Sequence, residues 1–345
     1  MINRIQIDAI MALHNEGVTS RDIAQLVLGS LTKKSTVNNI INRNGRGEAR
    51  KAVEKVSPVS RRTSSFRDEY DNSKAVFSIQ TTKGELPDGC SHIVLPDMQI
   101  KPDSNWEFLY AVGKYIVERR ADVIVCLGDF GDMPSLSSYD KGKKRAEGKR
   151  LNEDIDATVE AMRILLQPLY ELQQEEISLY GKVKYKPKMV LTLGNHEDRI
   201  NRHVDANPEL HGFVSTDNLR YADFGWEVAE FLQPVVVNGV GYVHFASNPF
   251  TGKPYGGTAL NILQKVGTSM TVGHKQTLDV ATRNLPTTGQ QQWFICAGAC
   301  YTDDEHYKGP QGNYHWRGLI VKHNVINGAY SPMFVDLDYL EKKFI

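Results

Sequence analysis

LTLGNHEDRI, residues 191–200, is the stretch whose reading decides the fold. An apolar run from Met189 to Leu193 stops at Gly194, and Asn195, His196, Glu197, Asp198 and Arg199 then bring an amide, an imidazole, two carboxylates and a guanidinium to one point. A polar chain turn has this composition. So does the end of a buried strand that carries reactive groups to the rim of a sheet. The surrounding sequence separates the two.

Upstream, HIVLPD (92–97) and DVIVCLGD (122–129) are short apolar strands, and PKMVLTLGN (187–195) is a third. Between them lie an amphipathic helix, NWEFLYAVGKYIVERR (105–120), and a long helical stretch over 152–176. This alternation predicts a mostly parallel sheet with helices on its faces. Downstream the chain is strand-rich: QPVVVNGVGYVHFAS (233–247), SMTVGHKQT (269–277), QQWFICAG (291–298), RGLIVKH (317–323) and PMFVDLD (332–338).

Five strand ends carry polar clusters of one chemical kind: LPDMQ (95–99), LGDFGD (127–132), LGNHED (193–198), YVHF (242–245) and VGHKQ (272–276). The carboxyl ends of strands in an open α/β sheet line one crevice. The clusters therefore converge, and with them Asp97, Gln99, Asp129, Asp132, Asn195, His196, His244, His274 and Gln276. Carboxylates, amides and imidazoles together suit divalent metals of intermediate hardness. A lone histidine, or one Gly-Asp or Gly-Asn pair, would be an ordinary structural feature. Five such clusters in order, each after an apolar strand, predict a metal site.

The ordered set resembles the calcineurin-like metallophosphoesterases, whose pattern is D-x-H, GDxxD, GNH(D/E), an isolated His, then GHxH. It stands here as Asp97-Met98-Gln99, Gly128 to Asp132, Gly194 to Glu197, His244, and Gly273 to Gln276. The resemblance covers residues from about 90 to 280 and extends to bacteriophage-encoded members with a helix-turn-helix in front. It implies a four-layer α/β/β/α sandwich and an enzyme that hydrolyses phosphate esters with two divalent ions. Asp129 would bridge the ions. Asn195, His244 and His274 would complete one centre, and Asp97, Gln99 and Gln276 the other. His196 would assist the leaving oxygen and Asp132 would orient it. Arg199 is a phosphate clamp or, equally, a surface ion-pair partner of Asp198 or Glu197. The family's histidines at 99 and 276 are glutamines here. Neutral carbonyl oxygens make that centre harder and weaker, which favours Mn²⁺ or Mg²⁺ over Zn²⁺.

The chain of 345 residues, 41% hydrophobic, suffices for one large core and a small extra domain. Its net charge of +0 hides an asymmetry, because residues 1–75 hold 13 Lys+Arg against 8 Asp+Glu. Residues 1–45 read as a helix-turn-helix, with Thr19 or Ser20 as an N-cap. In such a module Lys33, Lys34, Ser35, Thr36, Asn38, Asn39 and Arg43 would face DNA; the alternative is a three-helix docking bundle. Residues 46–75 form a basic linker, and 76–345 the metallophosphoesterase domain. Cys90, Cys126, Cys296 and Cys300 are too scattered for a disulfide framework, with Cys126 and Cys296 in apolar runs. With no signal peptide and no membrane-length apolar run, the expectation is a soluble cytoplasmic protein, in the host cytoplasm if phage-encoded.

The basic stretch SSYDKGKKRAEGKR (137–150), with Lys143, Lys144 and Arg145, could receive a polyanion or be an exposed solvated loop. Three functions stand: a nuclease or phosphodiesterase acting on nucleic acid; a phosphomonoesterase or pyrophosphohydrolase whose N-terminal helices serve assembly, a homo-oligomer among the options; and a DNA-binding or scaffolding protein whose metal site has decayed. The first is the leading reading.

Overall fold

The computed structural model describes residues 4–15, 18–28, 35–41, 76–305 and 308–345. The chain divides into two units, Met1–Asp71 and Asn72–Ile345. In the first, helices Arg4–Asn15 and Ser20–Leu28 are followed by helical residues 35–41. Their spaced apolar residues meet: Ile10, Ile23, Ala24 and Val37 are buried together, with Leu13, Val27 and Ile40 packed on them. Thr19 starts the second helix, its hydroxyl oxygen accepting the Asp22 N–H at 3.4 Å and donating to Asp22 Oδ2 at 2.6 Å. Ser35, Asn38 and Asn39 are exposed and Thr36 is half-buried. Lys33, Lys34, Arg43 and the linker 46–75 lie outside the described residues.

The second unit holds two sheets. Strands β1 (Cys90–Leu95), β2 (Val123–Cys126), β3 (Lys188–Thr192) and β4 (Glu227–Ala229) are successive parallel neighbours in the first. Strands β5 (Val235–Val237), β6 (Val240–Val243), β7 (Met270–Val272), β8 (Leu278–Asn284) and β9 (Gln291–Ala297) form the second, in the order β5-β6-β7-β9-β8. Strands β10 (Gly318–Ile326) and β11 (Ala329–Asp336) return to the first, giving β11-β10-β1-β2-β3-β4.

The alternating stretch gives the parallel pairing that its pattern predicts, β1 through β4, while β10 and β11 add an antiparallel edge to that sheet and the second sheet has a parallel centre with two antiparallel edges. The cause is local for the last hairpin. Asn327 and Gly328, at φ 45° and 84°, make the tight turn that folds β11 back on β10. Helices Glu107–Arg119 and Leu151–Tyr180 connect β1 to β2 and β2 to β3. β2 and β3 are buried at every residue, which explains their unbroken rather than alternating apolar character. One apolar core joins the sheets, with Val94, Val125, Val190 and Ile320 from the first and Val240, Tyr242 and Ile295 from the second. Among the described residues no helix is long and apolar enough to cross a membrane. All four cysteines are buried and unbridged.

That core contains a lysine. Lys322, on β10, is fully buried, 2.6 Å from Thr271 Oγ1 and 3.2 Å from the Tyr242 hydroxyl. Burial drives its pKa well below the ordinary lysine value. The unfolded chain then binds one more proton than the folded one at any pH between the depressed folded pKa and the unfolded value near ~10.4. The resulting penalty shrinks as pH rises across that window. Lys322→Met should therefore raise the unfolding free energy by about 1–4 kcal/mol at neutral pH. It should also flatten the alkaline part of the stability profile, as read by urea unfolding at pH 7 and pH 9.

Candidate metal centre

The parallel strands β1, β2 and β3 of one sheet, and β6 and β7 of the other, end on the same region. The backbone just beyond them is unusual. Among the described residues, eleven that are not glycine have positive φ; four of these, Gln99, Asp129, His274 and Gln276, lie in the predicted clusters, and Met133 directly follows one. Left-handed backbone at such side chains costs about 1–3 kcal/mol each and is retained where the surroundings over-determine it, as at functional sites. Two glycines are required by close approach. A Cβ on Gly194 would lie 2.2 Å from Asp129 Oδ1, and one on Gly273 would lie 2.3 Å from Asp97 Oδ1. The glycines of GNH and GH make room for the carboxylates.

Asp129, Asn195, His244 and His274 come together. One ligand atom each from Asp129, His244 and His274 lies within 4.8 Å of the others. Asn195 Oδ1 is 2.9 Å from His244 Nε2 and 2.7 Å from His274 Nδ1, and Asp129 Oδ2 is 3.3 Å from His244 Nε2. The other nitrogen of His244, Nδ1, lies 2.8 Å from the Leu127 carbonyl. A carbonyl only accepts, so Nδ1 carries a hydrogen, and Nε2, once it gives up its own proton, points its lone pair at Asn195 Oδ1 and Asp129 Oδ2. Three electron-rich atoms thus face one another, an arrangement that requires a proton or a cation between them. Burial disfavours the charged His244 ring, yet the Asp129 carboxylate outweighs it and the pKa is pushed up to about 9. His274 moves the other way, to about 4, through burial and the adjacent His244 charge.

Gln99 and Asp97 border the same carboxylate, whereas Gln276 meets Tyr301 and Lys308. Asp97 is fully buried, which raises its pKa to about 6. Its Oδ1 accepts the His274 N–H at 3.0 Å, while Oδ2 has no hydrogen-bond donor. Gln99 donates from Nε2 to Asp129 Oδ2 at 3.2 Å, which leaves its own buried Oε1 without a donor. Gln276 Oε1 accepts from the Tyr301 hydroxyl at 2.9 Å and from Lys308 Nζ.

His196 sits beside the centre, with Nε2 3.6 Å from Asp129 Oδ2 and Nδ1 bonded to Asp132 Oδ1. Burial opposes protonation, but Asp129 and Asp132 together hold its pKa above the usual histidine value. Arg199 donates from Nη1 to the Asp132 carbonyl at 2.7 Å, and its Nη2 is 3.1 Å from His196 Nε2. It pairs with neither Asp198, whose partner is Arg202 at 3.2 Å, nor Glu197. Lys101, which its sequence context did not single out, lies 3.9 Å from Asp132 Oδ2.

Glu197 is the residue whose part in the site the sequence left unassigned. It is buried, and its carboxylate accepts the backbone N–H groups of Asp129 (2.9 Å), Phe130 (2.8 Å), Gly131 (3.1 Å) and Gly194 (3.0 Å). The Tyr221 hydroxyl donates to it as well, at 3.2 Å. Burial, then the Asp129 charge, raises its pKa against those bonds. One side chain therefore ties the turn after β2 to the turn after β3. Its only sequence signal is the fourth position of GNHE. Glu197→Ala should leave four inward N–H groups without an acceptor and cost about 3–5 kcal/mol in denaturant unfolding. Glu197→Gln, which keeps an acceptor, should cost less.

A cleft of about 760 Å³ opens from the centre, lined by Asn195 and His274 and also by Tyr139, Lys141, Arg199 and Arg202. The basic loop reaches it through Lys141. Lys143 and Lys144 are exposed but outside its lining. The backbone at Arg145 lies in a short helical turn on the same loop. Of the aromatic residues available for stacking, Tyr139 is 81% exposed and faces the cleft, whereas Tyr301 is buried behind Gln276.

No family model matches the chain. It is 23% identical over 205 residues to the gene 54 protein of Mycobacterium phage L5, spanning 58% of this chain and 74% of that protein. It is 25% identical over 187 residues to the gene 54 protein of Mycobacterium phage D29, spanning 53% and 67%. Neither name states an activity; the similarity places the chain among distant relatives of phage proteins.

Proposed function

We propose that the protein is a divalent-metal-dependent phosphodiesterase of the calcineurin-like kind, a four-layer α/β/β/α sandwich acting on nucleic acid. The observation that carries this reading is the meeting of His244 Nε2, Asn195 Oδ1 and Asp129 Oδ2, with His244 Nδ1 tied to the Leu127 carbonyl. Metal-binding imidazoles characteristically donate their other N–H in this way. Asp129, Asn195, His244 and His274 fit a divalent ion, and a mixed oxygen and imidazole set suits Mn²⁺. The Asp97 side fits a second ion less well, since Gln276 Oε1 is already an acceptor for Lys308 and Tyr301 and Gln99 acts as a donor.

A bound divalent cation would neutralise phosphate charge and supply an acidified water as nucleophile. The chain's own residues account for the rest. His196, whose pKa Asp129 and Asp132 raise, is placed to give a proton from Nε2 to the leaving oxygen. Asp132 fixes the ring through Nδ1. Arg199, held by the Asp132 carbonyl, points Nη2 at the same place and is positioned to take a phosphate oxygen. Lys141 and Arg202 line the cleft along which a phosphate backbone would run, and Tyr139 offers a face to a base. The exposed Ser35, Asn38 and Asn39 of the N-terminal unit, with the basic charge of residues 1–75, would deliver the nucleic acid.

The test is an activity panel with Mn²⁺, Mg²⁺ and Zn²⁺ on single- and double-stranded DNA, a diester dye substrate and a monoester dye substrate. Mn²⁺-dependent cleavage of DNA and the diester is expected. Turnover of the monoester alone would transfer the reading to a phosphomonoesterase. No turnover with any metal, together with salt-sensitive DNA binding, would leave a binding protein.

A further inference from the structure

We propose that Lys308 supplies the second positive charge of this site, so that the chain holds one divalent ion and an ammonium where two ions would otherwise stand. The inference rests on the phosphodiesterase reading and concerns how its centre is built.

Three observations carry it. First, the two positions at which the family's pattern has imidazole are amides here, and Gln276 does not offer its oxygen in the way a second ion would need. Gln276 Oε1 accepts from Lys308 Nζ and from the Tyr301 hydroxyl, and Lys308 Nζ is itself 2.9 Å from that hydroxyl. Gln99 turns its N–H toward Asp129 Oδ2, the oxygen that also faces His244. Secondly, positive charge is called for on this side. Asp97 Oδ2 and Gln99 Oε1 are buried acceptors with no donor, and Asp97 is fully buried. Thirdly, described residues on either side of Lys308 are bonded to one another. Asn313, buried, donates to the Glu305 and Gly309 carbonyls at 3.0 Å each and accepts the Glu305 N–H at 2.8 Å. The Glu305 carboxylate is taken by Lys101.

An imidazole at 99 or 276 would present a lone pair to a metal. An amide carbonyl bound to an ammonium presents none, and the ammonium repels a divalent ion placed within a few ångströms by several orders of magnitude in affinity at protein-like dielectric. An ammonium is a compact, strongly hydrated point charge that serves phosphate well. The site would thus face a phosphate with one metal ion on the Asp129–His244–His274 side and Lys308 on the Asp97 side.

The test uses the full chain and manganese alone. Titration calorimetry and equilibrium dialysis should give one Mn²⁺ per chain, lost in His244→Ala, and the electron paramagnetic resonance spectrum should be that of an isolated ion. Two ions per chain with an exchange-coupled spectrum would overturn this inference and leave the metal-dependent reading intact. No bound ion, or binding untouched by His244→Ala, would remove the metal-dependent reading and this inference with it. With inorganic phosphate as probe, Lys308→Met in the Mn²⁺-loaded protein should weaken binding by about tenfold or more. An unchanged phosphate affinity in a variant of normal thermal stability would also overturn the inference.

Discussion

Asp129→Asn should lower Mn²⁺ affinity by at least about a hundredfold and abolish hydrolysis, while the chain stays folded. The asparagine keeps an oxygen where Asp129 Oδ1 accepts the His196 N–H at 2.9 Å, so the turn after β3 retains its anchor. What disappears is the charge. Burial and two neighbouring imidazoles contend for this carboxylate, and His196 and His244 prevail, holding its pKa well below the usual range. Without it, His244 loses the largest of the interactions that raise its pKa to about 9, and burial then opposes only Asp97 and the Leu127 carbonyl. Titration of His244 by NMR in the metal-free variant should therefore show a pKa well below that of the unsubstituted protein. A His244 pKa unmoved by the substitution would mean that Asp129 is not the charge that organises the site.

His196→Ala should behave differently. The ring bonds to Asp132 and borders Asp129, but the centre's ligand atoms come from other residues. Mn²⁺ stoichiometry should stay the same and kcat on DNA should fall by about 10²–10⁴-fold, the usual contribution of a positioned general acid. The deficit should shrink on a diester with a nitrophenolate leaving group, which departs without a proton. Equal losses on both substrates would assign His196 to binding rather than proton transfer. Loss of the metal would place it among the ligands.

The order of the clusters made the site legible in the sequence. Each polar group follows an apolar strand, and the glycines at 194 and 273 mark where a carboxylate from another loop must approach closer than a Cβ allows. Short-range grammar also located the N-terminal helices, where Thr19 and the spacing of Ile10, Ile23 and Val37 are local signals. Interactions whose partners are far apart in the chain were not legible. Lys101 meets Glu305 across 204 residues, and Lys308 reaches Gln276 from a segment with no motif of its own. The resemblance implied that Gln99 and Gln276 are weak ligands, but which end of an amide points inward depends on neighbours that the sequence does not bring together. The antiparallel placement of β10 beside β1 was hidden for a related reason. An apolar run such as GLIVKH does not say which strand it will join, nor that its lysine faces the core.

The central claim is that loops from two sheets gather Asp129, Asn195, His244 and His274 around a divalent ion. Crystals of the full chain soaked in Mn²⁺, with diffraction collected on both sides of the manganese absorption edge, test it most directly. The account predicts an anomalous peak within bonding distance of Asp129 Oδ2, Asn195 Oδ1, His244 Nε2 and His274 Nδ1. No peak at that position, or peaks confined to surface carboxylates, would contradict it.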